Sequence, residues 1–293
     1  MREAIRTYAD RQIGYRIRHD ELFAKASQIS SALSTASSID AFIYNHSDDP
    51  EVGLLAKLGI ASCLIQAERE SPLLPTRQRP FDLLKLAQQT WFGGLFHVLA
   101  DGIKGSAIDQ MFANVAFIVF NYDRCLEVYL EHAIASRFFL DLPKAREIVS
   151  QHCRIIHPYG SLGALEETDF GRAWPQRLSG EAIMKISGQL RTFTEALAGE
   201  ERSAIKRAME KATRLVFLGF GFHQQNMELL KPTKSDISEF RATVLGLSRN
   251  DQAEVLNQLV QFVHVPRHTN YVDHLLHCEC RELIAGERQF LSR

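Results

Sequence analysis

The hydrophobic pattern changes period near Gly105, and that change limits the chain to a helical region followed by a layered sheet. Up to about Ala100, apolar residues recur at helical spacing, as in Leu54, Leu55, Leu58, Ile60 and Leu64, with no convincing strand. The stretch SSID sets a serine before an apolar run, and Pro50 in SDDPEVG suits a first helical turn. SSALSTASS reads as a helix end, and the proline-rich SPLLPTRQRP as a loop.

Beyond Gly105, short β-branched and aromatic runs alternate with helical stretches, the signature of a parallel sheet. Strands are expected at Val115–Phe120, Arg154–His157, Arg214–Phe220, Ala242–Leu247 and Phe262–Val265. Helices are expected at Arg124–Phe139, Lys144–His152, Gly180–Ala198, Glu201–Ala212, Gln224–Leu230, Asp251–Leu259 and Tyr271–Ala285. The strands are apolar without alternation, as a sheet covered on both faces requires. The fold class is α/β, with flanking helices and an N-terminal all-helical region.

Charge narrows the partners. The 293 residues carry 34 lysines and arginines against 35 aspartates and glutamates, so no global field gathers nucleic acid or anionic lipid. Neither MFANVAFIVFNY nor WFGGLFHVLA is as long as the roughly 18 to 20 residues of a membrane-spanning helix, and no signal peptide is read at the start. Five cysteines without a CxxC pair argue against a disulfide scaffold and for a cytoplasmic setting. No repeat or low-complexity segment interrupts the chain.

In open parallel sheets the ligand crevice lies outside the carboxyl ends of the strands, so the residues after each apolar run carry the functional expectation. The first end is FNYDR. Asp123 suits a cap for the following helix or a ligand contact; Asn121 offers both a donor and an acceptor at a strand tip. The second end is HPYGSLG. His157 and Tyr159 share a face if the strand persists through Pro158, and His157 is either a hydrogen-bonded turn histidine or a general base. Gly160 and Gly163 permit a sharp turn and close backbone approach to a ligand. The third end is LGFGFHQQN, where Gly219 and Gly221 precede a short helix, suiting either a tightly packed turn or phosphate held by N–H groups. Gln224 stands where a full GxGxxG would have its third glycine.

In this order, the three motifs resemble the SIR2-like family, sirtuin-related NAD-consuming domains common in bacterial antiphage systems. SIDAF, Ser38–Phe42, with the helix after it, also resembles that family's helical insertion. The resemblance implies a helical region at residues 1–105 and a Rossmann-like NAD-binding core at 106–293. It implies hydrolysis of NAD to nicotinamide and ADP-ribose, with Asn121 ordering the ribose or a water and Asp123 receiving the nicotinamide amide. His157 becomes the base, although the family's histidine directly precedes the glycine and here Tyr159 does. Tyr159, Gly160 and Ser161 would line the NAD site. Gly219, Gly221, His223 and Asn226 would meet the adenosine half, and Ser248 and Asn250 the adenine ribose. Partners implied are NAD itself and a second copy or a sensor protein.

Two departures follow. Family members usually open with a strand and a GAG turn that wraps the pyrophosphate, whereas this sequence opens in helix. Sirtuin deacylases carry a zinc on two CxxC pairs, absent here, so no metal and no deacylation are expected. The cluster DHLLHCEC, Asp273–Cys280, read as part of the last helix, sets His274 and Cys278 on one face but Cys280 off it. The alternative to hydrolysis is an NAD-metabolite-binding or scaffold module that keeps the fold without turnover. A general nucleotide-binding enzyme is the third reading, without a P-loop, GxSxG or HExxH to support it.

Overall fold

The computed structural model describes residues 1–11, 18–36, 39–73, 81–163, 179–192, 195, 199–263 and 274–292. The helices in chain order begin with α1 (Arg2–Arg11), α2 (Arg18–Ala32), α3 (Ile39–Asn45), α4 (Pro50–Glu70), α5 (Leu83–Gln89) and α6 (Trp91–Ala100). They continue with α7 (Cys125–Phe138), α8 (Leu142–His152), α9 (Gly180–Gln189), α10 (Gly199–Lys211), α11 (Gln224–Leu230), α12 (Arg249–Val260), α13 (Cys280–Gly286) and α14 (Arg288–Leu291). The strands are β1 (Ala116–Ile118), β2 (Arg154–Ile156), β3 (Arg214–Phe217), β4 (Glu239–Thr243) and β5 (Leu275–Leu276).

The chain divides into two compact units, each assembled from three segments. The first comprises Met1–Phe81, Val119–Val128 and His157–Leu197. Here α4 packs against α2, α3 and α9, and α1 packs against α2 and α9. Asp49 caps α4, its carboxylate accepting from the Glu51 N–H at 3.0 Å, and Pro50 fills the position where a missing N–H costs nothing. Leu55, Leu58, Ala61 and Ile65 form its buried stripe. By length and mean hydropathy α4 meets the requirement for a bilayer span, yet this stripe already has helical neighbours within the unit.

The second unit comprises Asp82–Ile118, Tyr129–Ile156 and Ala198–Arg293. It holds two parallel sheets. In one, β1 pairs with β2, Phe117 opposite Ile155; in the other, β4 lies between β3 and β5, with Leu215 opposite Phe240 and Ala242 opposite Leu275. Asp141 caps α8 through the Lys144 N–H at 2.8 Å, which starts the crossover helix that leads back to β2. Ser248 and Asp251 close a reciprocal capping box at the start of α12.

Parallel pairing between flanking helices is therefore present, as is the helical N-terminal region. Several details differ from the sequence reading. Among the described residues the strands form two small sheets and not one. The expected strand Ala242–Leu247 lies three residues earlier, as β4, because Gly246 (φ +84°) and the Leu247 N–H to Val244 carbonyl bond turn the chain. Phe262 closes a turn on Leu259 where a strand was expected, while His264 and Val265 lie outside the described residues. The helix expected from Gly180 to Ala198 stops at Gln189, where the Leu190 N–H bonds back to the Ser187 carbonyl. The helix expected from Tyr271 contains β5 instead, whose neighbour β4 supplies partners that a short apolar pair lacks alone; helix resumes only at Cys280. His274 and Cys278 consequently do not share a helix face. The first three residues of that expected helix, 271–273, lie outside the described residues, as do Ser37, Ser38 and 74–80 of the expected proline-rich loop. The division into units also assigns 82–105 with the sheets and 119–128 with the N-terminal helices.

Candidate functional site

FNYDR runs out of β1 and enters the first unit, where every residue from Asn121 to Arg124 has a hydrogen-bonded duty. The Asn121 carbonyl accepts from His157 Nδ1 at 3.0 Å. The Tyr122 hydroxyl donates to the Arg191 carbonyl at 2.8 Å. Asp123 Oδ1 accepts from the Cys125 N–H at 3.1 Å, so the cap reading holds for that oxygen. Arg124 donates from Nη2 to Glu68 Oε2 at 2.6 Å, from Nε to Glu68 Oε1 at 3.2 Å, and from Nη1 to the Gly163 carbonyl at 3.2 Å. Only the Asn121 carboxamide is left over: the residue is exposed, with no side-chain partner among the described residues.

His157 follows directly on β2 and is largely buried, its side chain 13% exposed. Its second nitrogen, Nε2, lies 2.7 Å from Glu127 Oε1 in the first turn of α7. Both ring nitrogens thus face acceptors, the arrangement an imidazolium satisfies. Burial pushes this imidazole down, but the Glu127 carboxylate, the Asn121 carbonyl and the charge of Asp123 outweigh it and raise its pKa above the usual histidine value. At Glu68, by contrast, burial wins and holds its carboxyl up even though Arg124 pulls the other way, and burial also raises the Cys125 thiol beside Asp123.

The loop after His157 does not stay extended. The Gly160 N–H bonds back to the His157 carbonyl at 3.1 Å, so Pro158 and Tyr159 form a turn and the shared strand face is lost. Tyr159 meets Phe120 edge-on, and its carbonyl accepts from the Arg191 N–H at 2.9 Å. Gly160 has φ +82°, and a Cβ there would sit 2.0 Å from the Gln189 carbonyl oxygen. The close approach that glycine allows is made to the protein's own backbone. Ser161 lies beyond it, half-buried.

The remaining expected contacts belong to the second unit. After β3, Gly219 adopts φ +59°, and its N–H, one of the donors expected for phosphate, is taken by Thr243 Oγ1 at 2.9 Å. Gly221 and His223 are exposed, and Asn226 is half-buried on α11. Phe222 between them is buried at φ +52°, strained backbone held by contacts with Phe217 and Phe220. The Ser248 hydroxyl is committed to the capping box, and Asn250 is exposed in the first turn of α12. A polar cleft of about 420 Å³ lies instead at the amino ends of β3 and β4, where Arg214 and Arg241 stack on Phe290 at 5.7 and 4.4 Å. Among the described residues no cluster of three or more histidines, cysteines or acids is placed to hold a metal.

The structure thus brings Asn121, Asp123 and His157 together in one unit, with Tyr159 and Gly160 in the adjoining turn. It adds Glu127, Arg124 and Glu68, which motif reading passed over. Glu127 had a faint signal as an acid in the first turn after FNYDR; Glu68 had none, being 56 residues from its partner. Compared with known proteins, the chain matches no family model, no curated protein and no solved structure.

Proposed function

We propose that this chain is a SIR2-like NAD+ hydrolase that releases nicotinamide and ADP-ribose, with a role in antiviral defence following from the same resemblance. The observation that carries the reading is the exposed Asn121 carboxamide, free for a ligand while its own backbone carbonyl is held by His157. In the reaction the bond between the ribose C1′ and the nicotinamide nitrogen breaks, its electron pair leaving with nicotinamide. A water oxygen bonds to C1′, and the water's proton passes to a base. The Asn121 carboxamide suits the water or a ribose hydroxyl as donor and acceptor together. His157 Nε2 is the base once it has lost its proton. Asp123, whose carboxylate already takes the Cys125 N–H and thiol, is the residue that the resemblance assigns to the nicotinamide amide. Within the first unit, Tyr159, Gly160 and Ser161 keep the roles along the nucleotide that the sequence resemblance implies.

A second reading, binding of an NAD metabolite without turnover, is favoured by one observation: both His157 nitrogens are already engaged. Incubating the protein with NAD+ and separating the products by chromatography tests both. Release of nicotinamide that disappears in N121A and H157A supports hydrolysis. Binding without release supports the second reading, and turnover unchanged in both variants refutes the assignment.

A further inference from the structure

We propose that Glu127 is a positioning residue that holds the proton on His157 and thereby sets the pH at which this imidazole can serve as a base. The consequence for turnover rests on the hydrolase reading above; the hold on the proton does not.

Three elements meet at the ring. His157 follows β2, the Asn121 carbonyl follows β1, and Glu127 lies in the first turn of α7. Nδ1 must carry hydrogen to satisfy the carbonyl at 3.0 Å, so only Nε2 can offer a lone pair. Nε2 faces Glu127 Oε1 at 2.7 Å, a charge-assisted contact that requires a proton between them. Among the described residues, Glu127 and Asp123 are the leading charged groups acting on His157, and both favour the cation. The nearby Arg124 is turned to Glu68 and does not oppose them.

Glu127 has little else to do. Its side chain is 17% exposed, and Oε2 is buried without a hydrogen-bond partner among the described residues. The unmatched Oε2 costs about 1–3 kcal/mol, which the single bond from Oε1 to the His157 imidazolium must offset. Nε2 becomes a base only when its proton leaves and the ring turns from Glu127, while Nδ1–H stays on Asn121. Turnover then rises with pH through the His157 titration, and that midpoint lies higher because of Glu127.

The test is a pH titration of ¹⁵N-labelled imidazoles by NMR in the full chain, with H157Q assigning the signal. In the wild type the His157 midpoint should lie above the ordinary histidine value. E127Q, similar in size but uncharged, should lower the midpoint by about one pH unit or more. E127D, which keeps the charge, should retain most of the elevation and serves if E127Q folds poorly. Equal midpoints in wild type and E127Q overturn the proposal. NAD+ turnover read against pH should shift with the NMR midpoint; a rate limb that stays put also overturns it. A shifted midpoint with no nicotinamide released by either protein leaves the hold of Glu127 on the proton standing and removes the hydrolase reading.

Discussion

Arg124 and Glu68 form an ion pair from which water is almost wholly excluded, each side chain 2% exposed, with Nη2 and Oε2 2.6 Å apart. The pair fastens the residue after Asp123 to the last turn of α4, and the third Arg124 donor reaches the Gly163 carbonyl. Removing one member strands a buried charge, whereas removing both does not. R124A should therefore cost about 3–5 kcal/mol of unfolding free energy, while R124M combined with E68L should recover most of it. Urea unfolding of the wild type and the two variants checks this. Single and double variants of equal stability would show that the pair is not buried as described.

His157 gives the first unit a pH dependence of definite sign. Its folded pKa lies above the unfolded value near 6.5, so the folded state binds the proton more tightly. The contribution is complete below that unfolded value and is lost as pH rises through the folded one. Thermal unfolding midpoints should fall over that interval in the wild type, and the fall should be much smaller in H157Q.

His132 has the opposite sign. Burial, aided by the charge of Arg146, pushes its pKa down to about 4. The unfolded chain binds this proton more readily, so stability is present above pH 6.5 and declines as pH falls toward 4. H132Q should flatten this acid limb without altering the limb due to His157. Identical acid limbs in H132Q and wild type would count against the assignment.

Gly160 tests whether the HPYG turn has room for a side chain. At φ +82°, an added methyl carbon would lie 2.0 Å from the Gln189 carbonyl oxygen, so G160A must move backbone. A loss of about 1–3 kcal/mol is expected in denaturant unfolding, with little change in secondary structure by circular dichroism.

Phe139 offers a gain. It follows α7 at φ +55°, 95% exposed, while the Leu140 N–H bonds to the Ala135 carbonyl at 3.0 Å in a Schellman closure. That position suits glycine, and a left-handed L-residue costs roughly 1–2 kcal/mol. F139G should raise stability by about 1 kcal/mol; a loss would mean that the phenylalanine ring has a partner in the folded protein.

What the sequence revealed depended on how local its signal was. β1, β2 and β3 were legible because each is a short apolar run followed by polar residues. β5 was not, because two leucines between histidines have strand character only through β4. Asn121 and His157 could be paired because both follow strands, and two consecutive strands of a parallel pair end side by side. Glu127 and Glu68 lie 30 and 56 residues from their partners, and no spacing rule joins residues across such distances. The helix read through DHLLHCEC failed for the same reason as β5: amphipathic spacing over a short window could not reveal a neighbouring strand.

The interleaving of the two units bears on synthesis. The first unit takes its last segment from residues as late as 157–197, after the chain has twice supplied parts of the second. Any contiguous fragment that holds one unit complete also carries pieces of the other. On a ribosome the α4 helix must wait on the order of ten seconds between its own emergence and that of α9, with its apolar stripe incompletely covered. Splitting the gene at any single point would sever at least one unit.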